Sequence, residues 1–104
     1  MDPFPALAEP SRRRMIEMLG GGERAAGAIA AEFALTPAAV SQHLKVLREA
    51  KLVRVRIDGP RRIYSLDPDG LAAVDAWLGK VRTFWAPRLD ALERALEQDK
   101  GDEE

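Results

Sequence analysis

The chain contains no cysteine, one histidine and few aromatic residues, 6% of 104. The absence of cysteine removes disulfides, thiolate metal sites and thiol nucleophiles together. His43, the only histidine, has no carboxylate at catalytic spacing. Gly20-Gly21-Gly22 lacks the preceding strand and the lysine that make a glycine-rich loop a phosphate cradle. Catalysis and a bound cofactor are therefore not expected. No apolar run approaches the ~20 residues of a membrane span, and the start lacks a signal peptide's basic residues and apolar core. The expectation is a cytoplasmic protein with no membrane contact.

Charge of one sign is also lacking overall, with a formal net charge of -1. That figure averages unlike parts. From Glu97 onward the chain is acidic (Glu97, Asp99, Asp102, Glu103 and Glu104 against Lys100), and the rest is net basic. Thr36 to Tyr64 holds Lys45, Arg48, Lys51, Arg54, Arg56, Arg61 and Arg62 against only Glu49 and Asp58. A polyanion meets this local patch, not the average.

The hydrophobic pattern predicts one domain over residues 1–96, followed by an acidic, disordered tail over 97–104. A short first helix is expected from Asp2 to Ala8, with Phe4 and Leu7 on one side. A second runs from Pro10 to Leu19, burying Met15, Ile16, Met18 and Leu19, and stops at the glycines. A third covers 25–34, with Ile29, Ala30 and Phe33 inward. Thr36 can cap a fourth helix that begins at Pro37 and reaches Ala50. In it Val40, Leu44 and Leu47 form the buried stripe. Leu52 to Asp58 and Arg62 to Leu66 alternate as strands about an Asp58-Gly59-Pro60-Arg61 turn, making a hairpin with a basic tip.

Asp67 and Pro68 open a long last helix. Leu71, Val74, Leu78, Val81, Trp85, Leu89, Leu92 and Leu96 recur along it at spacings close to a heptad seam, widened by Trp77 and Phe84. Pro87 is expected to kink it near Thr83 to Ala86. So short a chain cannot cover this whole stripe itself. A partner subunit is expected at Phe4, Leu7, Leu78, Val81, Trp85, Leu89 and Leu92. Trp77 and Trp85 read as core; an apolar inducer pocket is the alternative.

A mainly α chain of four helices, a β-hairpin and a fifth helix describes a winged helix-turn-helix. Its chemistry is recognition. The fourth helix can lie in the major groove, where Gln42 bonds adenine bidentately and Lys45 donates to guanine. Ala38 and Ala39 allow close approach and can touch a thymine methyl. Thr36, Ser41 and Arg48 are placed for phosphate oxygens, and Arg61 and Arg62 for an adjacent groove or the backbone. His43 lies beside the buried stripe; it is either a helix-packing residue or a DNA contact.

The stretches Glu9-Pro10-Ser11-Arg12-Arg13-Arg14-Met15-Ile16 and Leu35 to Ala50, the hairpin Val53 to Leu66 and Phe84 to Asp90 together resemble the ArsR (ArsR/SmtB) family of bacterial repressors, in its metal-independent form. The likeness spans roughly residues 5–96. It implies a homodimer through the first and last helices, a palindromic double-stranded DNA operator often in the protein's own promoter, and release by an inducer. Many members sense metals. Here the family's two cysteine positions fall on Ala25 and Gly27, and the last helix has no histidine. Asp67, Asp69 and Asp75 remain, and carboxylates alone suit transition metals poorly. No metal site is expected, and the inducer is an unidentified small molecule, a protein, or absent. Ala28 stands where the family commonly has an acidic residue, and Lys51 where it commonly has glycine. The competing function is a winged-helix dimer that binds another protein through its basic face without specific DNA binding.

Overall fold

The computed structural model describes residues 2–102. The chain divides into two compact units, one up to Val74 and one from Asp75. Its elements are α1 (Phe4–Leu7), α2 (Pro10–Leu19), β1 (Arg24–Ala25), α3 (Ala26–Ala31), α4 (Pro37–Glu49), β2 (Val53–Asp58), β3 (Arg61–Leu66) and α5 (Pro68–Asp102). Among the described residues no helix is long and apolar enough to cross a membrane.

Local chemistry sets the boundaries in the first unit. Glu9 caps α2 by accepting from the Arg12 amide at 3.0 Å, and Pro10 occupies the first turn, where a missing N–H costs nothing. Thr36 Oγ1 accepts from the Ala39 amide at 3.1 Å and caps α4 in the same way. The helix 1 expectation shrinks to four residues, with Asp2 accepting from the Phe4 amide ahead of it.

Helix α3 is also shorter than the pattern predicts. At its start, Arg24 and Ala25 pair antiparallel with Tyr64 and Ile63, adding a third strand to the hairpin in the order β1-β3-β2. Two residues are too few for alternation to reveal a strand. At its end, the Glu32 and Phe33 amides bond three residues back, to Ile29 and Ala30, so the last turn tightens and stops.

The hairpin register pairs Val53 with Leu66, Val55 with Tyr64, Ile57 with Arg62, and Asp58 with Arg61. The two-residue loop Gly59-Pro60 has φ +60 at Gly59, the position where a type II′ turn wants glycine.

The core of this unit gathers one face of each element: Ala6, Met15, Leu19, Ile29, Phe33, Val40, Leu44, Leu47, Ala50, Leu52, Val53 and Tyr64. Ile16 and Met18, expected inside, are half-buried against it. Each fully buried aliphatic here contributes roughly 1.5–3 kcal/mol relative to exposure.

The end of α4 places Lys51 where the backbone favours glycine. The Leu52 amide bonds the Leu47 carbonyl and the Lys51 amide the Arg48 carbonyl, both at 3.0 Å. This is a Schellman motif whose left-handed residue is Lys51, φ +60. The Lys51 carbonyl in turn accepts from the Gly70 amide at 2.9 Å. A Cβ at Gly70 would lie 2.3 Å from that oxygen, so only glycine fits there. The Asp67 amide bonds the Leu52 carbonyl at 2.9 Å, and its carboxylate caps α5 through the Asp69 amide.

In the second unit α5 passes through Pro87 without interruption. Pro87 supplies no amide for the Thr83 carbonyl. Close by, the Thr83 hydroxyl donates to Gly79 O at 2.9 Å, and Arg88 donates to Phe84 O and lies 4.0 Å over the Phe84 ring. The helix also continues past Leu96 to Asp102, where a disordered tail was expected. Leu92 to Lys100 contains no Gly or Pro and is built of good helix formers, which outweigh the acidic charge. Glu103 and Glu104, the end of that tail, lie outside the described residues. Trp77, Leu78, Phe84, Trp85, Leu89, Leu92 and Leu96 are exposed at 42–63%.

Candidate nucleic-acid interface

Helix α4 carries its apolar stripe inward, so its opposite face is polar and open. That face and the wing strand β3 bound a groove lined by Ala26, Ala38, Ser41, Gln42, Lys45, Arg48, Arg62 and Tyr64. Six of the ten residues read as DNA contacts thus meet in one place. Tyr64 and Ala26 are additions. Tyr64 shares a strand face with Arg62 through the pairing with Val55 and Ile57, so the alternation could have placed it. Nothing in the sequence marks Ala26.

The other four are placed differently. Thr36 is exposed and its oxygen is already engaged as a cap, leaving its O–H to donate elsewhere. Ala39 is half-buried. His43 faces α2, where Arg12 Nη1 lies 3.2 Å and Glu9 Oε2 3.8 Å from its Nδ1. Of the two roles open to it, helix packing is the one the geometry fits; the groove does not include it. Arg61 lines a separate concavity with Pro60, Arg62 and Ala25 to Gly27, and pairs with Asp58 at 3.4 Å.

The basic segment is therefore not uniformly available. Arg54 pairs with Asp67 at 3.4 Å, and Arg56 holds Glu23 bidentately at 2.6 and 3.4 Å. The hydrogen bond from Arg56 pulls the Glu23 carboxyl below its ordinary range and raises the guanidinium in return. Lys45, Arg48, Lys51 and Arg62 have no ion pair among the described residues, and three of these four line the groove. The positive field is concentrated beside Gln42, the one long amide on that helix face.

No group of three or more His, Asp or Glu residues that could hold a metal ion occurs among the described residues.

The Helix-turn-helix domain model matches residues 7–56. The chain is 41% identical to the HTH-type transcriptional regulator Rv2034 of Mycobacterium tuberculosis, over 95% of this chain and 90% of that one. It is 32% identical to the transcriptional repressor SdpR of Bacillus subtilis, over 72% and 83%. A solved structure described as a possible transcriptional regulator for arsenical resistance superposes with a TM-score of 0.76 at 43% identity, covering 91% of this chain and 96% of that one. An ArsR family transcriptional regulator, RHA00566, gives 0.71 at 26% identity, over 80% and 86%.

Proposed function

The chain belongs to the ArsR family of helix-turn-helix transcriptional regulators, which are DNA-binding proteins and not enzymes, and from that premise we propose that it is a homodimeric repressor of a palindromic operator whose release does not depend on a metal ion. The observation that carries the reading is the groove in which Gln42 stands among three unpaired cations, Lys45, Arg48 and Arg62. Gln42 reads a base edge, Lys45 donates to a guanine or its phosphate, and Arg48, Arg62 and the Ser41 hydroxyl hold the backbone. Thr36 adds a hydroxyl at the α4 N-terminus, and Ala38 and Ala39 keep the helix close to the bases. Arg61 is a minor contributor, because Asp58 already neutralises it.

Repression follows the SdpR likeness. The dimer would use the α5 stripe of Leu78, Val81, Trp85, Leu89 and Leu92, with Phe4 and Leu7 of α1. Metal-independent release is supported by the donor set: no cysteine, and a lone histidine whose Nδ1 is engaged by Arg12. An unidentified small-molecule inducer, or a protein, would take the metal's place.

A randomised-duplex selection followed by salt titration tests the reading. An inverted repeat should be enriched, and log affinity should fall steeply with log salt, at about -0.9 per phosphate contact. A flat salt response would sink it in favour of a protein-binding module. Gln42→Ala should cost about 1–3 kcal/mol and relax one or two operator positions, whereas Arg62→Ala should weaken all sequences alike and shrink the slope by about one. Arg61→Ala should change the slope less than Arg62→Ala.

A further inference from the structure

The run Arg12-Arg13-Arg14 has the composition of a DNA-binding patch, yet each guanidinium is engaged inside the first unit. Arg14 lies 4.8 Å over the Phe33 ring. Arg13 donates to the Leu7 and Ala8 carbonyls at 2.9 and 3.3 Å. Arg12 does something different, because it reaches two elements at once. Its Nε donates to the Ala6 carbonyl in α1 at 2.6 Å, and its Nη1 lies 3.2 Å from Nδ1 of His43 in α4. Its own amide is held by Glu9, whose Oε2 also lies 3.8 Å from that Nδ1.

A guanidinium only donates, so the Arg12–His43 contact is a hydrogen bond in the tautomer that leaves Nδ1 free to accept and carries its proton on Nε2. His43 directly follows Gln42, and its ring direction is coupled to the rotation of α4 about its axis. The planar guanidinium links Ala6 of α1 to His43 of that helix. A lysine ammonium carries its three donors on one nitrogen and lacks the planar fork that holds two donor nitrogens at fixed separate positions.

We propose that Arg12 is a positioning residue that couples α1 to the recognition helix, so that seating of α1 sets the register of Gln42 and Lys45 on DNA. The inference rests on the DNA-binding reading of α4 above. It makes α1 a part of the recognition apparatus without touching DNA.

The test uses the full chain and the duplex enriched by the wild type in the randomised selection. Arg12→Lys keeps the charge and should weaken that duplex roughly tenfold, within the usual range of intersite coupling. Affinity for a scrambled duplex and the salt slope should stay as in the wild type. The imidazole nitrogen signals of His43 should report a pure Nε2–H tautomer in the wild type and a mixture in Arg12→Lys. Leu7→Ala in α1 should shift those signals in the wild-type background and not in Arg12→Lys. Equal losses on selected and scrambled duplexes, unchanged affinity, or an Nδ1–H tautomer in the wild type would each overturn the coupling. A wild type that enriches no duplex would instead overturn the operator reading, and this inference with it.

Discussion

Helices α4 and α5 carry apolar stripes of the same period and meet opposite fates. In α4, Val40, Leu44 and Leu47 are at most 2% exposed. In the second unit, Leu89, Leu92 and Leu96 stand 51–54% exposed and Phe84 63%. The first stripe is satisfied within one chain, and the second is not. Exposed apolar area of that extent is characteristic of a surface that another molecule covers. Under the proposed function the difference separates two jobs: α4 is fixed so that its outer face can read, and α5 is left open so that it can pair.

Substitutions at matched positions test this contrast. Leu47→Ala removes a side chain with no exposure and should cost about 2–5 kcal/mol by urea denaturation, at every protein concentration. Leu89→Asp should barely change the first unit but give monomers in sedimentation velocity and weaken operator binding. A dimer that survived would place the interface elsewhere and dissolve the comparison. Lys51→Gly, at the left-handed end of α4, should stabilise by about 1 kcal/mol, read as a rise in Tm. A fall would mean that the Lys51 side chain contributes more than its backbone strain costs. The smallest effect belongs to the exposed Glu23–Arg56 pair. The folded Glu23 pKa lies below its ordinary value, so whatever the pair adds is present above that value and lost as pH falls through the folded one. A carboxyl NMR titration should show Glu23 returning to the ordinary range in Arg56→Gln.

The same contrast explains what was legible beforehand. The caps at Thr36 and Asp67, the α4 stripe and the hairpin alternation are local patterns, and each reappears as an element with boundaries close to the expected ones. Strand β1 and the late start of α3 were not legible, because both follow from a pairing between residues about forty apart in sequence. The helical continuation to Asp102 runs against the acidic charge of this segment, which its helix propensity outweighs. In the candidate site, Gln42, Lys45, Arg48 and Arg62 could be named from helical angle and strand alternation alone. Which arginines remain unpaired could not, since Asp58, Asp67 and Glu23 reach them only across turns and strands.

The sequence by itself determined the winged helix-turn-helix order, the family likeness and the lack of thiolate or multi-histidine metal ligands, because these depend on residue type and short-range period. The family likeness also marked Lys51 as standing where glycine is common. Only the tertiary structure decided that Lys51 is left-handed and that Gly70 must approach its carbonyl. Only the tertiary structure turned His43 toward Arg12, away from the groove, and gathered the unpaired cations beside Gln42. Those outcomes depend on which polar groups come within about 3 Å of one another, and hydrogen-bond geometry at that range is a property of the packed chain, not of its local pattern.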